Sequence, residues 1–135
     1  MSGGVQRALI VDDNVALARV TQFALDGAGY ETHTAYNGRL ALEAAVETKF
    51  DIVITDQQMP EMTGVELCQA LRSLPAYASC PIVLLTAKGL ELELPQLRDE
   101  LGIDATFAKP FSPSAIVKTC AELLAASAQE HTECV

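Results

Sequence analysis

The sequence predicts a three-layer α/β domain, a doubly wound sheet of five parallel strands with helices on both faces. Five short apolar runs alternate with segments whose apolar residues recur at helical spacing. Alternation of this kind builds a parallel sheet through right-handed crossovers. The third run, residues 51–55, is almost unbroken in apolar character, as expected for a strand covered on both faces.

The first strand is expected over 7–11 and its helix over 15–28, with Val20, Ala24 and Leu25 on one face and Gly29 as a left-handed stop. A second strand follows over 30–35, and Asn37 is placed to cap a helix over 38–48. The third strand, 51–55, leads to a helix over 64–74, and the fourth strand is 81–85. Leu90, Leu92 and Leu94 alternate like a strand, while Leu90, Leu94, Leu97 and Leu101 also fit a helical stripe. Pro95 biases Leu94 away from helical angles, so a regular helix is expected only over 95–101, ended by Gly102, with an irregular lead-in. The fifth strand is 105–108. Ser112 as N-cap and Pro113 at the first helical position then open a helix over 114–126. There is no linker or repeat. Residues 1–6 read as an N-terminal extension, 7–127 as the domain and 128–135 as a tail frayed over 129–135.

The 135 residues suffice for one domain with a real core, and half of them are hydrophobic. No apolar run approaches the roughly 20 residues that a membrane helix needs. The net charge of −9 repels phosphate backbones, which argues against nucleic-acid binding. The first seven residues carry no apolar segment, so no signal peptide is expected and the chain reads as cytoplasmic. Cys68, Cys80, Cys120 and Cys134 form no C-x-x-C pair and read as free thiols of a reducing compartment. His33 reads as a solvent-facing strand residue and His131 as part of the tail.

The chemistry-bearing side chains fall where strands end: Asp12 and Asp13 after the first, Asp56 after the third, Thr86 after the fourth and Lys109 after the fifth. Ligands gather at that edge of open parallel sheets. Two carboxylates about 4 Å apart repel by roughly 4 kcal/mol at an effective dielectric of 20, so a cluster of acids calls for a cation. Hard carboxylate oxygens select Mg²⁺ or Mn²⁺, and Mg²⁺ characteristically joins one or two carboxylates to phosphate oxygens. A lysine and a threonine hydroxyl opposite it are the groups a transferring phosphoryl group needs. Alone, each residue reads more simply: Asp-Asp as a helix cap, a strand-end Asp as a turn residue, a lysine before proline as solvated. Pro110 bends the chain after Lys109 and allows a cis bond there.

Four segments carry a resemblance: Asp12-Asp13, then 56–64 (D-Q-Q-M-P-E-M-T-G), Thr86-Ala87 and Lys109-Pro110-Phe111. With Gly29-Tyr30 and 35–38 (A-Y-N-G), they make the chain similar to the receiver domain of two-component response regulators over about residues 7–126. The resemblance implies a flavodoxin-like strand order of 2-1-3-4-5. It implies that Asp56 takes a phosphoryl group from a phosphohistidine of a sensor histidine kinase or phosphotransfer protein. Asp13, Asp56 and the backbone carbonyl of Gln58 would hold Mg²⁺, with Asp12 acting through water. Lys109 would pair with the phosphate, and Thr86, with Ala87 beside it, would bond a phosphate oxygen. Met59, Pro60, Gly64 and Pro110 would shape the loops. Gln58 and Lys88 would flank the entry of hydrolytic water and modulate dephosphorylation. The protein is then a switch acting on an unknown downstream target, better so described than as an enzyme, although it catalyses its own phosphoryl uptake and loss. Kinase docking would use Asn14, Val15 and Ala18 with 110–112.

The chain departs from the family pattern at Thr106, which stands where many receivers carry a signalling aromatic while Phe107, one residue on, reads as core, and at Pro95, which lies in the segment that often forms the partner-binding face. The signal is therefore expected to pass through backbone movement over 88–94. A stand-alone receiver is expected. The alternatives are a receiver cut from a longer regulator or hybrid kinase, a flavodoxin-like electron carrier, and a metal-dependent phosphohydrolase. Asp12-Asp13 would repel a flavin phosphate, and Gln58 stands where such hydrolases commonly place a second carboxylate.

Overall fold

The computed structural model describes residues 4–87 and 94–133. Lys88, all but the last residue of the stretch 88–94 expected to carry the signal, and Cys134 lie outside the described residues. Five strands, β1 (Arg7–Val11), β2 (Glu31–Ala35), β3 (Ile52–Asp56), β4 (Ile82–Thr86) and β5 (Ala105–Ala108), form one sheet in the order β2-β1-β3-β4-β5. Every pairing is parallel. The helices are α1 (Val15–Gly27), α2 (Gly38–Glu47), α3 (Gly64–Arg72), α4 (Leu94–Leu101) and α5 (Pro113–Glu133). The fold class and strand order are those expected.

Side-chain alternation along the strands divides the core in two. Leu9, Val11, Val53, Ile82 and Leu84 point to one face and pack with Ala41 and Ala45 of α2 and Leu67 and Leu71 of α3. Ala8, Ile10, Ile52, Ile54, Val83 and Leu85 point to the other, against Ala18 and Leu25 of α1 and Ile116 and Cys120 of α5. Burying each Leu or Ile contributes about 1.5–3 kcal/mol. All five residues of β3 and of β4 are buried, which explains their apolar text. Edge strand β2 alternates between exposed and half-buried positions until Ala35, with His33 on the exposed set.

Local chemistry sets the helix ends. Asn14 and Asn37 accept from the N–H groups of Leu17 and Leu40 at 3.1 and 2.8 Å. Gly29 and Gly102 hold φ of +100° and +67°, the left-handed conformation that ends a helix without a Cβ clash. Several boundaries differ from the sequence reading. Strands β3 and β4 start and end one residue later, so Asp56 and Thr86 are their last residues. The start of α3 carries a full capping box, Thr63 with Glu66, whose S/T-x-x-E signature is present in the sequence. A 3-10 turn, Pro75–Tyr77, follows α3. It buries Tyr77, whose hydroxyl accepts from Phe50 N–H at 3.1 Å and lies 2.8 Å from the Ala45 carbonyl. The last helix runs on to Glu133, past the expected end at Ala126, so it takes in much of the stretch read as a frayed tail. No proline or glycine interrupts it there.

Arg72, at the end of α3, is fixed by four carbonyls, those of Tyr77, Cys80, Leu101 and Gly102, at 2.7–2.8 Å. One guanidinium fork thus ties α3 to the approach to β4 and to the end of α4. Cys68, Cys80 and Cys120 are buried free thiols, as expected. No described helix is long and apolar enough to cross a membrane.

Candidate functional site

The carboxyl ends of β1, β3 and β5 bring four of the expected side chains together. Asp12 directly follows β1, and its N–H donates to Ala35 O at 3.1 Å, extending the ladder to β2 by one residue. Its Oδ1 accepts from Asn14 N–H at 2.9 Å, which turns the carboxylate inward while Asn14 caps α1. Asp12 is therefore buried at 1% exposure, and Asp13 next to it is exposed. Asp56, also 1% exposed, ends the central strand. Carboxylate oxygens of all three acids lie within 4.8 Å of one another. The ammonium of Lys109 sits 2.7 Å from Asp56 Oδ1 and 3.9 Å from Asp12 Oδ2. The Lys109 N–H donates to Thr86 O at 2.8 Å, which sets the departure of the chain from β5, and the Lys109–Pro110 bond is cis.

Three carboxylates, those of Asp12 and Asp56 buried and that of Asp13 exposed, face one ammonium, so the cluster carries excess negative charge. The protonation equilibria register it. Burial raises Asp56 above the ordinary carboxylate range; Lys109 opposes that rise and Asp13 adds to it. Burial likewise raises Asp12, against the Asn14 N–H, and the charge of Asp56 pushes the same way as burial. Asp56 Oδ1 is fully buried, and the Lys109 ammonium 2.7 Å away is its charged partner. Three carboxylates whose oxygens lie within 4.8 Å of one another, with a single ammonium beside them, are hard donors of the kind a divalent ion such as Mg²⁺ fits.

The remaining expected residues surround this cluster. Thr86 is buried at the end of β4, one strand over from Asp56, and its hydroxyl donates to Ala87 O at 3.2 Å. Gln58 and Pro60 are exposed in the loop after β3, and Met59 turns into the core. Gly64 is buried against that loop's start: a Cβ there would lie 2.4 Å from Asp56 O and 3.0 Å from Gln57 Cα. Only glycine permits this approach. Pro110 is exposed. Phe107, expected in the core, is half-buried and packs against the core on the α1–α5 side of the sheet, and Thr106 is half-buried in register with Leu84.

Ala18 corrects the docking expectation: it is core, at 1% exposure. Leu17 and Val20 instead line an apolar groove of about 450 Å³ with Lys109, Pro110, Phe111 and Pro113, beside the acid cluster. Their i,i+3 spacing was the available signal.

The chain matches the response regulator receiver domain over residues 8–121. It is 38% identical over 112 residues to the DNA-binding response regulator MtrA of Mycolicibacterium paratuberculosis, covering 83% of this chain and 48% of that protein. It is 36% identical over 111 residues to the alkaline phosphatase synthesis transcriptional regulatory protein PhoP of Bacillus subtilis, covering 82% of this chain and 45% of that protein. The chain thus spans about half the length of the curated relatives it matches. Among solved structures, the chemotaxis protein CheY4 of Vibrio cholerae superposes with a TM-score of 0.83 at 35% identity, covering 89% of this chain and 99% of that one. The five-stranded parallel sheet, the acid cluster at its carboxyl edge and these matches agree: the chain belongs to the response regulator receiver domain family of two-component signalling.

Proposed function

We propose that the protein is a phosphoacceptor switch in which Asp56 takes a phosphoryl group from the phosphohistidine of a sensor histidine kinase or phosphotransfer protein. The observation that carries this is the buried Asp56 carboxylate, paired with Lys109 at 2.7 Å, beside Asp12 and Asp13. A carboxyl oxygen of Asp56 forms the new bond to phosphorus. The phosphorus–nitrogen bond breaks, and its electron pair stays on the donor imidazole. Asp13, Asp56 and the Gln58 carbonyl would hold Mg²⁺, with Asp12 behind them; bound Mg²⁺ supplies charge neutralisation for the acids and the incoming phosphoryl oxygens. Lys109 neutralises charge on the transferred group, and the Thr86 hydroxyl donates to one of its oxygens once it turns from Ala87 O. Those contacts exist only in the phosphorylated state, so they bias a two-state equilibrium and switch a surface read by a downstream protein. Exposed Gln58, two residues past Asp56, sets with Lys88 the access of hydrolytic water and hence the lifetime of the acyl phosphate.

The donor docks over the groove of Leu17, Val20 and Phe111, which opens beside Lys109. A net charge of −9 supports a protein partner and no nucleic-acid contact by this chain itself. DNA binding is named for MtrA, a protein about twice the span matched here. That coverage favours a second reading, a receiver belonging to a longer regulator, which the length of the gene product tests. For the phosphoacceptor, the test is incubation with acetyl phosphate and Mg²⁺ followed by mass spectrometry of peptides. Phosphate is expected on Asp56 and absent from a folded Asp56→Asn variant. Phosphate on another residue would overturn the assignment.

A further inference from the structure

The loop between β3 and α3 is closed at its neck by Gln57, a residue to which the resemblance gives no role. Its N–H donates to Leu85 O at 2.8 Å, which carries the β3–β4 ladder one residue past Asp56. Its backbone carbonyl accepts from Gly64 N–H at 3.0 Å, and its side-chain Oε1 accepts from Val65 N–H at 2.8 Å. Both acceptors are engaged by the first two N–H groups of α3, which have no partner within the helix. The far end of the loop is socketed on α2: Met62 Sδ lies 2.5 Å from where a Cβ on Gly38 would be. Between them Glu61 holds φ of +71°, a conformation a side chain keeps only where its surroundings impose it. Gln58 lies in this closed loop, immediately after the residue that ties it.

We propose that Gln57 is a positioning residue for the phosphoacceptor site. By bridging the end of β4 and the start of α3, it sets the Gln58 carbonyl relative to the Asp56 carboxylate before any ion or phosphoryl group arrives. The inference rests on the reading of Asp56 as phosphoacceptor and of the Gln58 carbonyl as an ion ligand. It requires an oxygen acceptor on residue 57, not merely a long side chain. Gln57→Met keeps the length and leaves Val65 N–H unpartnered. Gln57→Glu keeps the acceptor and adds a charge that a helix N-terminus tolerates.

The experiment combines calorimetric Mg²⁺ titration, phosphate uptake from acetyl phosphate and amide exchange at Val65, all in high salt to screen the charge of the Glu variant. Gln57→Met should bind Mg²⁺ roughly three- to tenfold more weakly, the effect of one lost hydrogen bond. Its phosphate uptake should slow by a similar factor, while Gln57→Glu stays near wild type in both. In the wild type, Mg²⁺ should slow exchange of the Val65 amide. Wild-type Mg²⁺ affinity in a Gln57→Met variant whose Val65 amide exchanges freely would overturn the inference, and so would a Val65 amide indifferent to Mg²⁺ in the wild type. If Gln57→Met does not fold, that wild-type exchange and the Glu variant decide. If the wild type binds Mg²⁺ but takes no phosphate on Asp56, the phosphoacceptor reading fails alone, and the Mg²⁺ and exchange results still judge Gln57.

Discussion

Asp12 and Asp56 are carboxylates held where their own charge is costly. Burial, the dominant cause for both, raises them above the 3.8 that applies in the unfolded chain. Between that value and the raised ones the folded protein binds more protons than the unfolded. Metal-free stability therefore falls as pH rises through this window, and the penalty is complete above it. Asp12→Asn removes one charge yet keeps an oxygen for the Asn14 N–H. In chelator at neutral pH it should stabilise the protein by on the order of 1 kcal/mol and flatten the acid-side slope. Adding Mg²⁺ should raise the melting temperature of the wild type more than that of the variant. Thermal unfolding across mildly acidic to neutral pH checks this, and a wild-type slope of the opposite sign would refute it. At this scale the acid pair, Asp56 and Lys109 could be read from the text, because chemistry-bearing residues at strand ends stand out against apolar runs. Which acid of the pair is buried could not, since that depends on the Asn14 N–H turning Asp12 inward.

Among the elements, α1 has two tasks. Ala18, Thr21 and Leu25 bury one face against the sheet, and Val15, Val20 and Phe23 stay exposed, Phe23 at 83%. Helical periodicity locates the helix, but Val20 and Leu25, expected on one face, differ in burial, Leu25 in the core and Val20 exposed, and Ala18, expected at the docking surface, is buried. A small residue fits the closest approach of helix to sheet, and hydrophobicity alone does not report which side a residue takes. Val20→Asp should thus leave folding and acetyl phosphate uptake intact while slowing transfer from a phosphohistidine donor about tenfold, the loss of one contact of roughly 1.4 kcal/mol. Comparing the two donors on the same variant checks it; equal slowing with both would point to the site and away from docking. The ends of α3 and α5 show the limits of reading boundaries. Thr63-x-x-Glu66 is a legible cap, whereas the end of α5 at Glu133 carries no glycine or proline to mark it.

Across the whole molecule, the two core layers enclose the thiols of Cys68, Cys80 and Cys120. Burial pushes the Cys68 thiol up to about 12 and those of Cys80 and Cys120 up to about 11. A thiolate is the reactive form, so the folded protein should take at most one alkyl label per chain at mildly alkaline pH. The unfolded chain, with its four cysteines, should take four. Intact mass measured with and without denaturant reads this directly, and rapid labelling of a second cysteine under native conditions would mean that a core layer opens on its own. The alternation of apolar runs and helical stripes was enough to establish the layered parallel fold, because each strand and helix advertises its buried face through the period of its own residues. The same text placed Asp12, Asp13, Asp56, Thr86 and Lys109 at one edge, because parallel strands all end on the same side. The 2.7 Å approach of Lys109 to Asp56 and the neck closed by Gln57 appear only once residues far apart in the chain meet. Those features depend on strand order, turn geometry and the fit of Gly64 and Gly38 against their neighbours, and distances of that kind are set by packing rather than by any local pattern.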